Sequence, residues 1–174
     1  SLGNVINPFA LVEEYGTDAV RYFLLRHIHP FEDSDFTLER FKELYTANLV
    51  NGLGNLVSRV MKMATSYDVR LEVKEEHMQF NPWGGTSHFS DFRVDEFCND
   101  VWAIISDLDE YVQKNEPFKK IKTDPEAAKK DVHYLLHHLF GIAVSLEPIM
   151  PETSEKIKSA ILNHQMPEQL FPRK

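Results

Sequence analysis

The sequence predicts an all-α protein, an antiparallel helix bundle. Only seven glycines are spread over 174 residues, and long stretches rich in Leu, Ala, Glu and Lys run between them, which favours helix over sheet. In the longest stretch, apolar side chains recur every three or four residues, the period of one helix face. Hydrophobic residues make up 43% and charged residues 26%, the balance of a packed globular chain rather than a disordered one, and the length suits one main core.

Pro8 suits a first helical turn, and residues 9–15 read as a short helix that stops at Gly16. A second helix follows at once, with Thr17 as its expected N-cap, Asp18 at the positive end of its dipole and a run from Ala19 to Ile28 before Pro30. Residues 30–36 read as an acidic connector. From 37 to about 66 the pattern is one long helix whose buried face carries Tyr45, Leu49, Leu53, Leu56, Val60 and Met63. The opposite side gathers Asn48, Asn51, Gly52, Asn55, Arg59 and Lys62 into a polar or small stripe.

Residues 68–93 lose the helical period and contain Asn81-Pro82-Trp83-Gly84-Gly85, the composition of a long surface loop. Helix resumes near Val94, breaks at Asn115-Glu116-Pro117, restarts at Asp124-Pro125 and runs to Leu146. Pro151 starts the last helix, residues 37–164 are the expected bundle core, and the last ten residues are an expected ragged end. There is no internal repeat.

Several functions are excluded by composition. A formal net charge of −8 argues against general nucleic-acid affinity, so any RNA contact must be local. No stretch approaches the length of a membrane span, and Ser1-Leu2-Gly3-Asn4 lacks the basic and apolar regions of a signal peptide. The single cysteine, Cys98, cannot form an internal disulfide and sits among apolar residues, which suits a reduced, cytoplasmic protein. The chain starts with Ser rather than Met, and the expectation is a piece cut from a longer protein.

Family resemblance sharpens this picture. The segment from Ser1 to Ile6 resembles the stretch after the mobile, lysine-bearing loop of class I aminoacyl-tRNA synthetases, with Ser1 similar to that loop's final serine. Asp18-Ala19-Val20-Arg21 is similar to the Asp-Ala-Leu-Arg signature shared by the methionyl, valyl, leucyl and isoleucyl enzymes. Residues 21–26, Asp33-Ser34-Asp35-Phe36 and Gly54-Asn55-Leu56-Val57-Ser58-Arg59 resemble the methionyl enzymes specifically. Pro117-Phe118 falls where that family shows Pro-Trp, and residues 146–153 look like its Leu-x-Pro-Phe-Met-Pro-x-Thr joint. The likeness is weakest over residues 68–93 and after Leu162.

This resemblance implies an anticodon-binding bundle of the class I synthetase type, residues 36–174, preceded by a connector, residues 1–35. The implied partners are the anticodon stem-loop of methionine tRNA and the catalytic domain of the parent chain. ATP and Mg2+ would belong to that full-length methionine–tRNA ligase, whereas this piece would hold no cofactor and catalyse nothing. The rival readings are the matching domain of an isoleucyl, leucyl or valyl enzyme, and a helical protein-interaction module without RNA binding.

The candidate site residues follow. Asn55 and Arg59 lie one turn apart, and a paired amide with a planar fork of donors suits the exposed edges of unstacked bases. Spacing alone favours a solvated helix face; it is the resemblance that assigns both to anticodon reading. Phe118 follows a proline and precedes Lys119, Lys120 and Lys122, so it reads either as a base-stacking ring or as a plug between helices. The resemblance implies stacking on the first anticodon base, with a smaller face than the family's tryptophan. Lys62, Lys119, Lys120 and Lys122 are candidate phosphate contacts.

Other features carry structural readings. Asp18 and Arg21 are expected to pair with each other or with the helix dipole. His133, His137 and His138 lack a completing Cys or Glu, so no metal site is expected. Met61, Met63 and Met78 read as packing, and Trp83 as a loop anchor. Gly52-Leu53-Gly54 sits inside a helix, which suits close helix approach rather than nucleotide binding.

Overall fold

A computed structural model of the chain describes residues 7–28, 36–72 and 93–174. Every regular element among them is helical: α1 (Pro8–Tyr15), α2 (Thr17–His27), α3 (Leu38–Leu44), a π-helical segment (Tyr45–Gly54), α4 (Asn55–Tyr67), α5 (Val94–Asn115), α6 (Pro117–Lys120), α7 (Pro125–Leu146) and α8 (Pro151–Leu162). The all-α expectation therefore holds. The expectations for residues 1–6, for the connector over 30–35 and for most of the 68–93 loop, including Met78 and Trp83, lie outside the described residues.

Helix starts follow local chemistry. Asn7 accepts from the Phe9 N–H (3.0 Å) and Asp124 from the Ala127 N–H (3.0 Å), each satisfying a donor that the first turn leaves without a partner. Both precede a proline, whose missing N–H is harmless in the first turn. Thr17 is not the cap of α2 as expected. Gly16 occupies that position with φ of 88°, a backbone state that needs no Cβ, and lets α2 start directly after α1 ends.

The core is organised around α7, whose Val132, Leu135, Leu136, Leu139, Phe140, Ile142, Ala143 and Leu146 are all buried. A helix apolar on so many sides must be covered by several neighbours, and α4, α5, α6 and α8 all pack against it. The expected buried face, from Tyr45 to Met63, is buried throughout, as is Met61. Leu11, Tyr15, Tyr22 and Phe23 from α1 and α2 join the same core.

The long helix departs from expectation in its middle. Residues 45–54 turn more widely, and the Asn55 N–H reaches back to the Val50 carbonyl, five residues earlier. Glycine is required at 54, where a Cβ would stand 2.9 Å from the Leu49 carbonyl oxygen and 3.4 Å from the Phe171 ring. The close approach at Gly54 is thus by the helix's own backbone and by the C-terminal tail, not by a second helix. Nor is that tail ragged: Phe171 is buried, and the Tyr45 hydroxyl donates to the Pro172 carbonyl (2.9 Å).

Asp18 and Arg21 do not pair with each other. Asp18 is buried and its Oδ2 accepts from the Thr153 N–H at 2.7 Å, while Arg21 donates to the carbonyls of Ile149 (2.8 Å) and Pro148 (2.9 Å). Met150, at the cap position of α8, makes no side-chain bond. Asp18 supplies the missing acceptor from across the fold and adds a negative charge at the helix's positive end. Two sequence signatures, residues 18–21 and 146–153, are therefore each other's binding partners. Asp18→Ala should lower stability by about 1–2 kcal/mol, the scale of a lost N-cap, and Asp18→Asn, which keeps an acceptor, should lose less in urea denaturation.

His27 packs against Tyr22 and Phe23, and burial, with Arg26 and Arg40 adding positive charge, pushes its pKa down to about 4. Below the ordinary histidine pKa of about 6.5 the unfolded chain takes up a proton that the folded chain refuses until about pH 4. The contribution of His27 is complete above pH 6.5 and is lost as pH falls through that window. His27→Gln should flatten the stability profile between pH 6.5 and 4, as read by chemical denaturation at several pH values.

Candidate nucleic-acid interface

The polar stripe predicted on the long helix exists, but α5 and the tail divide it. Arg59, half-buried on α4, donates through Nη1 to Asp109 Oδ1 of α5. Asp109 Oδ2 in turn accepts from Gln113 Nε2 at 2.6 Å, one turn along the same helix. The Trp102 indole N–H of α5 donates to the backbone carbonyl of Asn48 (3.4 Å). Asn55 is exposed and lines a small cleft with Asn51, Ser58, Phe171 and Arg173, where Arg173 reaches Asn51 Oδ1 at 3.5 Å.

Phe118 is carried by α6, one turn of helix that sequence reasoning did not foresee. Glu116 takes a left-handed conformation (φ 45°), ends α5 and redirects the chain, and the buried Pro117 anchors the new turn. The next side chain then points outward: Phe118 is 42% exposed. It is not a plug between helices. The ring lines a groove of about 380 Å3 together with Arg59, Lys62, Met63, Ser66, Tyr67 and Val112. Thus Arg59 and Phe118, 59 positions apart in the sequence, share one apolar-floored, cation-rimmed groove, while Asn55 sits one turn back at the neighbouring cleft.

The four candidate lysines differ in availability. Lys119 bonds to Glu116 (2.5 Å), and its ammonium stands 5.9 Å from the Phe118 ring centroid. Lys120 pairs with Asp131, a carboxylate that also accepts from the Tyr111 hydroxyl at 2.9 Å. Lys62 and Lys122 are exposed and form no ion pair among the described residues. A larger cleft, about 730 Å3, lies between α8 and the tail, but Glu152, Glu155 and Glu168 line it against one Lys156. Excess negative charge makes it a poor seat for a phosphate chain.

Sequence reasoning missed Asp109, Gln113 and Arg173. Asp109 and Gln113 show an i, i+4 spacing that marks a shared helix face, but nothing in the sequence aims that face at Arg59. Arg173 gives no local signal.

Family models match the chain in two consecutive parts. Residues 1–61 match the class I tRNA synthetase model of M type, and residues 62–172 match the anticodon binding domain of methionyl tRNA ligase. The chain belongs to the methionyl-tRNA ligase family. That assignment sets aside the isoleucyl, leucyl and valyl alternative. Methionine–tRNA ligase of Lactococcus lactis subsp. lactis is 34% identical over 170 residues, covering 90% of the chain and 26% of the relative. The Thermosynechococcus vestitus enzyme is 31% identical over 173 residues, covering 90% of the chain and 32% of the relative. The chain thus spans about a quarter to a third of the length of the curated relatives it matches. The ligand-free Mycobacterium tuberculosis methionyl-tRNA synthetase shares the fold, with a TM-score of 0.76 and 22% identity over 98% of this chain and 41% of that one. Among the described residues no helix is long and apolar enough to cross a membrane.

Proposed function

We propose that the groove between α4, α5 and α6 holds bases of the methionine tRNA anticodon, and that the chain serves a longer methionine–tRNA ligase in selecting its tRNA. The shared groove of Arg59 and Phe118 carries this reading. The guanidinium offers a fork of donors to base edges, Phe118 offers a stacking face, and Lys62 and Lys122, which form no ion pair among the described residues, are placed to meet phosphates. Asn55 extends the reading surface by one turn. Lys119 and Lys120 would have to exchange Glu116 and Asp131 for phosphate, so they are the weaker contacts.

In this reading residues 1–35 connect to the catalytic domain and residues 36–174 form the anticodon-binding body. Methionine activation belongs to the rest of the longer protein, with ATP and Mg2+. Gly52-Leu53-Gly54 does not fit a nucleotide, since it lies inside continuous helix. The protein would work in the cytoplasm, where Cys98, buried and with its pKa raised by burial to about 12, stays a thiol.

Titration with a stem-loop carrying CAU, the complement of the methionine codon, tests the reading against loops with one anticodon base changed. Arg59→Ala should cost about 1–3 kcal/mol in discrimination. Phe118→Ala should cost about 1–3 kcal/mol of affinity, with a folding cost under about 1 kcal/mol rather than the roughly 3–5 of a buried ring. Phe118→Trp should hold or improve binding. With two free lysines, the salt slope should be shallow, about −0.7 for each phosphate neutralised. Equal weakening of all loops by Arg59→Ala, or unchanged affinity in Phe118→Ala, would remove the base-reading role.

A further inference from the structure

The Arg59 guanidinium does not hang free at the rim of its groove. Nη1 is bonded to Asp109 Oδ1, and the second oxygen of that carboxylate is taken by Gln113 Nε2 at 2.6 Å. Both partners remain about one-third exposed, at 31% and 35%, so RNA can reach the pair without unfolding anything. Arg59 makes no other hydrogen bond among the described residues, which leaves Nε and Nη2 available.

We propose that Asp109, itself oriented by Gln113, is a positioning residue that fixes the Arg59 fork for base reading and cancels its charge. This rests on Arg59 being a base reader. Two physical consequences follow. Anchoring one nitrogen of a long, rotamer-rich side chain removes entropy that binding would otherwise have to overcome, and it fixes the plane in which the remaining donors point. A guanidinium paired with a carboxylate also attracts phosphate weakly, so loops with the wrong bases gain little from its charge. Asp109 thereby converts Arg59 from a general anion attractor into a directional donor. Gln113 completes the line, holding the carboxylate from one turn away on α5.

The test compares the chain with Asp109→Ala, Asp109→Asn, Arg59→Ala and the Asp109→Ala/Arg59→Ala double variant. Each is titrated with the CAU stem-loop and with a loop of altered anticodon, at low and moderate salt. Asp109→Ala should lower the ratio of cognate to altered-loop affinity about tenfold and steepen the salt dependence by about 0.7 of a slope unit, because a charge is uncovered. Asp109→Asn keeps an amide oxygen for Arg59 and should retain most of the ratio while showing the steeper salt dependence. The double variant should match Arg59→Ala. If Asp109→Ala does not fold, Asp109→Asn decides, and an unchanged salt slope overturns the proposal. A ratio preserved in Asp109→Ala but lost in Arg59→Ala overturns it while leaving Arg59 as a reader. A ratio preserved in Arg59→Ala removes the base-reading role itself, and the positioning role with it.

Discussion

The burial of α7 is the constraint on which the rest of the structure depends. With apolar side chains on most of its circumference, it can be stable only under cover from several helices at once. Those helices, α4, α5, α6 and α8, are thereby fixed relative to one another. The groove is what remains on the outside where α4, α5 and α6 meet. Its floor, formed by Met63 and Val112, continues into the core, so Arg59 and Phe118 project from rigid elements rather than from loops. Fixed donors and a fixed ring cost little to order on binding, which is the condition for discriminating between bases.

The acidic balance of the chain, formally −8, fits this arrangement. Of the cations around the groove, Arg59, Lys119 and Lys120 each face a carboxylate within the fold, while Lys62 and Lys122 form no ion pair among the described residues. A surface so nearly neutralised gains little from the phosphate backbone of an arbitrary RNA, so the proposed anticodon affinity would have to come from stacking and hydrogen-bond geometry. In the proposed role, the same pairing that weakens general attraction would raise the share of binding that depends on base identity.

Much of this was legible in the sequence because it is local. The prolines at 8, 125 and 151, the start signal at Asp124, and the apolar period from Tyr45 to Met63 are written within a turn or two of where they act. What was not legible depends on distant partners. Phe171, from the other end of the chain, comes so close to Gly54 of the π segment that a Cβ there would stand 3.4 Å from its ring, a contact no window can contain. Asp18 reads in sequence as a partner of its own helix's dipole, in whose first turn it sits, but its bond to the Thr153 N–H appears only when the fold brings α8 beside it. Arg59 shows the same limit: spacing marks it as polar and surface-facing, but its partner lies 50 positions away, and only packing decides that the partner is Asp109.

The most direct test of the account is to map the RNA contact residue by residue, by following amide and side-chain NMR signals of the chain as the CAU stem-loop is added. The account predicts that the largest shifts cluster on Asn55, Arg59, Lys62 and Asp109 and on Phe118 with its flanking turn. Shifts confined to the cleft between α8 and the tail, or spread evenly over exposed lysines, would contradict it.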